Sequence, residues 1–159
     1  MHILKPLILS AILLTLAACS TSFNTPYAAG HYESSPTQCV PYARSVSGVN
    51  LYGDAYTWWD QADPSKRGNI PAVGSVLVLA NTQRMYHGHL AVVTRIVGPR
   101  EISVTHSNWG DGPLTRRRVF DYQRVLDASL MNDWSSVRFW NYQKDSFGAA
   151  YAAKGFIYK

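Results

Sequence analysis

The feature that most constrains the fold is a set of short, β-branched segments between residues 73 and 109. They read VGSVLVLA, HLAVVTRIV and EISVTHSNW, with Gly, Pro or Asn residues between them. Runs of this length and composition, bounded by turn residues, predict β-strands, and short connections favour antiparallel pairing. Two further candidates, VRFWNYQ and KGFIYK, lie near the C-terminus. The second half of the chain is therefore predicted to form an antiparallel sheet.

Helical signals precede these strands. Residues 39–46 are typical of a short helix that Gly48 stops, and Asp54 is a predicted cap for a second helix that ends near Ala62. Helices before strands within one domain favour an α+β fold over a βαβ alternation. The chain is 47% hydrophobic and 16% charged, and removal of an 18-residue leader from its 159 residues leaves 141. That length and composition suffice for one domain with a full core.

The N-terminus has the order of a secretory signal peptide. A short basic start with Lys5 leads into the apolar residues 7–16 and then into Ala17, Ala18 and Cys19, and this apolar segment is too short to span a membrane. Its end resembles the lipobox of bacterial lipoproteins, in which the cysteine is diacylated and becomes the new N-terminus. The alternative is an ordinary signal peptide cleaved near Ala18.

The lipoprotein interpretation divides the chain into three parts. We expect a signal peptide at residues 1–18, a lipidated tether at 19–37 and the folded domain at 38–159. Ser20 follows the modified cysteine, and in Gram-negative lipoproteins a residue other than aspartate there usually means the outer membrane. The expected location is therefore the periplasmic face of the outer membrane, with lipid on Cys19 as the anchor.

Cys39 has no partner within the chain if Cys19 carries lipid, because the sequence holds two cysteines. A leftover cysteine in an exported protein indicates an intermolecular disulfide or a reactive thiol, and a small buried hydrophobe is the alternative. Since proline is tolerated only in the first turn of a helix, Pro41 requires the helix to begin near Gln38. Cys39 then lies at the helix N-terminus, where a lowered thiol pKa is expected.

The strand region supplies candidates for the base that such a thiol needs. If Gly98 and Pro99 form the turn between two strands, opposed residues have numbers that sum to about 197. His89, His106 and Asn108 then share one face at the open end of the hairpin. A thiol at a helix start, an imidazole on a strand and a polar group on the next strand are the parts of a cysteine–histidine hydrolase.

Five segments resemble, in their order, the CHAP domain, the cysteine, histidine-dependent amidohydrolase/peptidase family of the papain-like clan. They read QCVPYAR, GDAYTWWDQA, PAVGSVLVL, GHLAVVTRI and SVTHSNWG, and they span residues 38–110. The resemblance implies an α+β, papain-like (NlpC-type) fold with N-terminal helices packed on an antiparallel β-sheet. It also implies cleavage of amide bonds in peptidoglycan, with Cys39 as the nucleophile, His89 as the general base and no cofactor.

The resemblance extends to residues around this pair. Asn108 matches an asparagine at the end of the following strand. Two positions earlier the family commonly has Glu, where this chain has His106, and related NlpC-type peptidases use a histidine in an equivalent orienting role. The oxyanion is expected to bind the backbone N–H of Cys39 and a second donor, Gln38 or Tyr42.

Three classes of function remain open from the sequence. The first is a lipid-anchored peptidoglycan amidase or endopeptidase, and the second is a non-catalytic wall-binding lipoprotein on the same fold. The third is a zinc-binding periplasmic lipoprotein, with Cys39, His87, His89 and His106 as ligands. A formal charge of +5 suits an anionic wall polymer or membrane surface. No nucleic-acid motif accompanies the run of arginines at 116–118, and the sequence specifies neither the bond cleaved nor the oligomeric state.

Overall fold

The computed structural model describes residues 38–110 and 112–159. The predicted signal peptide, the tether and Cys19 lie outside these residues. The helices are α1 Cys39–Ser47 and α2 Trp58–Gln61, and the strands are β1 Arg67–Gly68, β2 Val76–Leu79, β3 His89–Gly98, β4 Glu101–Ser107, β5 Val119–Asp127, β6 Ser136–Asn141 and β7 Ser146–Ile157. Neither helix in this part of the chain has the length and apolar character needed to cross a membrane.

The strands form one antiparallel sheet that closes on itself. Strands β2 to β6 are neighbours in chain order, and β7 pairs with both β2 and β6, which completes the ring. The short strand β1 extends the sheet beyond β7. Gly155 of β7 has φ 130°, and a Cβ there would lie 2.5 Å from the carbonyl oxygen of Gly68. Only glycine permits this close approach of β7 to β1.

The predicted α+β, papain-like fold is wrong. The fold is a closed antiparallel barrel with few helices, since α1 has nine residues and α2 has four. The second predicted helix divides into a 3-10 helix, Ala55–Thr57, and α2, and the Asp54 side chain bonds to His87 instead of capping. The barrel prevails because β5, β6 and β7 close the sheet, so that its inner face buries a core without a layer of helices.

Two apolar clusters lie on opposite faces of the sheet. The inner cluster draws on all six barrel strands and includes Leu77, Leu79, Ala91, Val93, Ile102, Val104, Val125, Val137, Phe139 and Phe156. The outer cluster joins the helices to β2 and β3 and includes Cys39, Ala43, Trp58, Val76, Val78, Leu90 and Val92. Alternate residues of β2 and β3 therefore enter two different cores, which explains why both segments are continuously hydrophobic.

Helix α1 begins and ends where the sequence predicts. Gln38 is the extended N-cap residue, Cys39 is the first helical residue, and Gly48 ends the helix in the left-handed region at φ 73°. Cys39 and Ala43 are four residues apart, so both face the sheet on one side of the helix. The start of α1 thus holds the thiol against the outer face of β3.

Candidate active site

The Cys39 thiol is free and nearly buried, with 8% of the residue exposed. Burial raises its pKa above the ordinary value, while backbone hydrogen bonds from Leu90, Val40 and Cys39 itself oppose the rise. The expected lowering of the thiol pKa is therefore wrong in direction, because the sulfur lies in the outer apolar cluster and desolvation outweighs the helix terminus. The contact with Leu90 places the thiol beside the residue that follows His89.

The β3–β4 hairpin has the predicted register near its open end. Val92 opposes Thr105 and Val93 opposes Val104, so the two residue numbers of each pair sum to 197. Bulges alter the register only toward the turn. His89 begins β3 and His106 lies near the end of β4. The Nε2 atom of His89 is 2.7 Å from Nδ1 of His106. The predicted proximity of these two imidazoles is confirmed.

Both imidazoles pack against Trp109 of the inner cluster, at the end of the barrel where β3 begins and β4 ends, which we call the barrel mouth. His89 is 3% exposed and His106 is fully buried. The ring of Trp109 lies 4.6 Å from the His89 ring and 5.5 Å from the His106 ring, centroid to centroid. Burial lowers the pKa of His106 to about 4, although Gln123 and Asp121 oppose the change. Burial, with a contribution from His106, also lowers the pKa of His89 well below its usual value. Both rings are therefore neutral at neutral pH.

A third side chain, which the sequence analysis missed, continues this contact. Oε1 of Gln123 lies 2.5 Å from Nε2 of His106, and Nε2 of Gln123 donates to the carbonyl oxygen of Trp140 at 2.7 Å. Gln123 belongs to β5, which was not predicted as a strand. The aromatic and β-branched residues of VFDYQRVLD are the available signal, but a left-handed residue, Tyr122 at φ 52°, interrupts their alternation.

Asn108 contacts the start of α1 and not the imidazole pair. Its Nδ2 donates to Oε1 of Gln38 at 2.6 Å, and its backbone is left-handed at φ 56°. Since Oε1 of Gln38 accepts this bond, the Nε2 group of Gln38 is oriented away from Asn108. The asparagine is therefore placed to orient Gln38, the residue before Cys39.

Tyr42 uses both of its polar groups in other contacts. Its backbone N–H donates to the Gln38 carbonyl oxygen within α1, and its hydroxyl lies 2.7 Å from Oγ1 of Thr105. Because Thr105 donates to the Asp121 carboxylate at 2.9 Å, the Tyr42 hydroxyl is the donor to Thr105. This arrangement favours Gln38 over Tyr42 as the second oxyanion donor.

His87 lies outside the barrel mouth. Its Nδ1 is 3.0 Å from Oδ1 of Asp54, and the side chain of His87 is largely exposed while that of Asp54 is about half exposed. Across residues 38–110 and 112–159, no three His, Cys, Asp or Glu side chains come together in a way that could hold a metal ion. The four ligands considered for zinc are thus not assembled in the described part of the chain.

A thiol at a helix start and an imidazole held by a second buried side chain are among the parts of a cysteine-dependent hydrolase. The CHAP domain family model matches residues 29–108, which is half of the chain, and the chain belongs to this family. Its members are generally cysteine, histidine-dependent amidohydrolases or peptidases, and membership indicates a peptidoglycan hydrolase or amidase-like function. A comparison with curated proteins found no match.

Proposed function

We propose that the chain hydrolyses an amide bond of peptidoglycan through a thioester on Cys39. The bond belongs either to N-acetylmuramoyl-L-alanine, which makes the protein an amidase, or to the stem peptide or cross-bridge, which makes it an endopeptidase. The observation that carries the proposal is the 2.7 Å contact between Nε2 of His89 and Nδ1 of His106. A buried imidazole fixed through one nitrogen presents the other as a base.

The proposed reaction starts from neutral groups, because burial favours the thiol over the thiolate at Cys39 and neutral imidazole at His89. Sγ attacks the amide carbonyl carbon while its proton passes to Nδ1 of His89. This transfer requires the His89 ring to reach Sγ past the start of β3, where the thiol contacts Leu90. The tetrahedral intermediate then expels the amine, which takes the proton from Nδ1 as the C–N bond breaks. Water gives a proton to Nδ1 and attacks the thioester. The carboxylic acid leaves, and the proton returns to Sγ.

The negative charge on the tetrahedral oxygen needs donors near the start of α1. We assign this role to the backbone N–H of Cys39 and to Nε2 of Gln38, which Asn108 orients through its bond to Oε1. One such donor typically contributes about 3 kcal/mol to transition-state stabilisation. His106 is assigned as the residue that orients His89.

We also propose that lipid on Cys19 anchors the protein to the periplasmic face of the outer membrane. The support is the order of a basic start, an apolar segment and Ala17, Ala18 and Cys19. Two or more acyl chains on one residue meet the requirement for stable anchoring. Residues 19–37 then serve as the tether between the lipid and the domain.

Digestion of purified sacculi tests the proposed reaction. Wild-type protein should release fragments whose masses identify the bond, since an amidase frees intact stem peptides and an endopeptidase frees cleaved ones. Cys39→Ala should release none, and Ser45→Ala, an exposed position on the same helix, should match the wild type. Equal release by wild type and Cys39→Ala would contradict the assignment, as would no release by either.

A further inference from the structure

We infer that Gln123 is a positioning residue that sets the direction of the proton in the His89–His106 hydrogen bond. Its Oε1 contacts Nε2 of His106 on the side of the ring opposite His89. The catalytic meaning of this inference rests on the proposed function, because direction matters only if His89 is a base.

Two neutral imidazoles in contact leave the direction of their hydrogen bond undetermined. In one arrangement Nε2–H of His89 donates to Nδ1 of His106, and Nδ1 of His89 has a free lone pair. In the other, Nδ1–H of His106 donates to Nε2 of His89, whose remaining nitrogen then carries the proton. Only the first arrangement lets His89 accept a proton from the thiol.

The contacts of Gln123 select the first arrangement. A backbone carbonyl only accepts hydrogen bonds, so the amide nitrogen of Gln123 must face the Trp140 oxygen at 2.7 Å. Oε1 then faces His106 and, being a carbonyl oxygen, accepts a proton from Nε2 of His106 at 2.5 Å. The neutral His106 ring has one proton, so its Nδ1 is bare and accepts from His89.

The backbone of β5 aims Gln123 at this position. Gln123 pairs with Val104, but His106 pairs with Phe120, so the register shifts by one residue between the two pairs. Tyr122 lies at the shift with φ 52°, a conformation that a residue with a Cβ adopts at a cost of about 1–2 kcal/mol. Bulges of this kind redirect side chains near sites. Here the bulge puts Phe120 opposite His106, while Gln123 faces inward like its partner Val104 and is only 3% exposed.

The surroundings of His106 contain few other groups able to decide its tautomer. The groups that act on it electrostatically or by hydrogen bonding are His89 from β3 and Gln123 and Asp121 from β5. The other rings packed on it, Trp109, Phe120 and Phe139, are uncharged. Gln123 is therefore the neighbour whose donor and acceptor atoms are assigned by a contact outside the histidine pair, its bond to the carbonyl oxygen of Trp140.

Nitrogen NMR of the full-length wild-type protein with labelled imidazoles tests the inference without substrate. We expect neutral His106 and neutral His89 both to carry the proton on Nε2 at pH 7. A proton on Nδ1 of His106 would overturn the inference. Because this measurement needs no catalysis, it stands even if the sacculus assay contradicts the proposed function.

Two substitutions test the catalytic consequence. Gln123→Met keeps the side-chain length and removes both hydrogen bonds, so kcat should fall about 10- to 100-fold with little change in KM, and His106 should acquire a population protonated on Nδ1. Gln123→Glu should restore the Nε2–H tautomer and most of the lost turnover. It should also move the acid limb of the kcat/KM profile to higher pH, because a carboxylate stabilises protonated His106.

The matched control is Gln143→Met, an exposed position at the turn between β6 and β7, which should behave like the wild type. A folded Gln123→Met variant with wild-type kcat and an unchanged tautomer would overturn the inference. So would equal losses in the Met and Glu variants with no shift of the acid limb, since that pattern indicates a purely structural role. If Gln123→Glu does not fold, the wild-type tautomer and the Met variant decide the matter.

Discussion

Nε2 of His89 and Nδ1 of His106 lie 2.7 Å apart inside the barrel mouth, and neither residue is more than 3% exposed. The contact joins the first residue of β3 to the penultimate residue of β4. Because His89 is paired to β2, His106 is paired to β5 and both rings pack against Trp109, the sheet fixes the orientation of His89. The contact makes His106 the first residue to test by substitution.

Substitution of His106 should affect turnover more than binding. We expect His106→Ala to lower kcat by about ten- to a thousandfold with little change in KM, because orienting groups act mainly on the transition state. His106→Glu should retain activity, since a carboxylate also accepts the His89 N–H. Steady-state kinetics on a soluble peptidoglycan fragment provides the measurement. Wild-type turnover in the Ala variant would remove His106 from the orienting role.

The pH dependence of stability follows from the same burial. The folded-state pKa of His106 is about 4, below the usual 6.5, so the unfolded chain binds the proton more tightly. The contribution of His106 to the free energy of unfolding is complete above pH 6.5 and is lost as the pH drops toward 4. The loss is on the order of 3 kcal/mol for this residue alone. Urea titrations between pH 7.5 and 4 should show the fall.

The exposed His87 provides the control for that measurement. His87→Gln should show the same fall in stability with pH as the wild type, because the side chain lies outside the buried pair. His106→Asn should show a smaller fall. A pH-independent free energy of unfolding in the wild type would contradict the prediction.

The local placement of the site was predictable because it depends on short-range rules. Pro41 and Gly48 delimit α1 and put Cys39 at its start, and the parity of a two-stranded hairpin brings His89 and His106 to one face. Both rules act within one helix or one hairpin. They hold whatever the rest of the chain does.

The closed barrel was not predictable from those rules, because closure depends on pairings distant in sequence. β7 joins β2 and β6, and no local pattern marks a strand that serves two neighbours. The bulge at Tyr122 interrupts the alternation of β5, so neither this strand nor the position of Gln123 was predicted. The thiol pKa was misjudged for a related reason, since the helix terminus is visible in the sequence but the apolar cluster around Cys39 forms only on folding.

The raised pKa of Cys39 predicts slow alkylation at neutral pH. In a Cys19→Ser background, where Cys39 is the remaining thiol, the midpoint of iodoacetamide labelling against pH should lie above that of a free cysteine. Burial is the cause, so denaturation in urea should return the midpoint to the free value. A native midpoint below the free value would contradict the neutral-thiol reaction.

Cys19→Ser tests the proposed lipid anchor. The variant should no longer incorporate alkyne palmitate or partition with outer membranes, because acylation requires that sulfur. Cys39→Ser is the matched control and should remain labelled, since Cys39 belongs to the folded domain. Palmitate labelling that persists in Cys19→Ser would show that the lipoprotein interpretation is wrong.

The bond between Asn108 and Gln38 predicts that the two residues act as one unit. Gln38→Met removes the proposed oxyanion donor. Asn108→Gly removes the amide that orients it while tolerating φ 56°. Each should lower kcat by up to about a hundredfold, and the double variant should be no worse than Gln38→Met, because the pair shares one function.

The acid limb of the pH profile separates this unit from the imidazole pair. Variants at Asn108 and Gln38 should leave the limb where the wild type has it, because neither residue bonds to His89 or His106 in the site described above. His106→Glu should move the midpoint of the acid limb to higher pH, since a carboxylate beside His89 favours the protonated ring. If Asn108→Gly instead moves the limb and His106→Ala leaves turnover intact, Asn108 is the residue that orients His89.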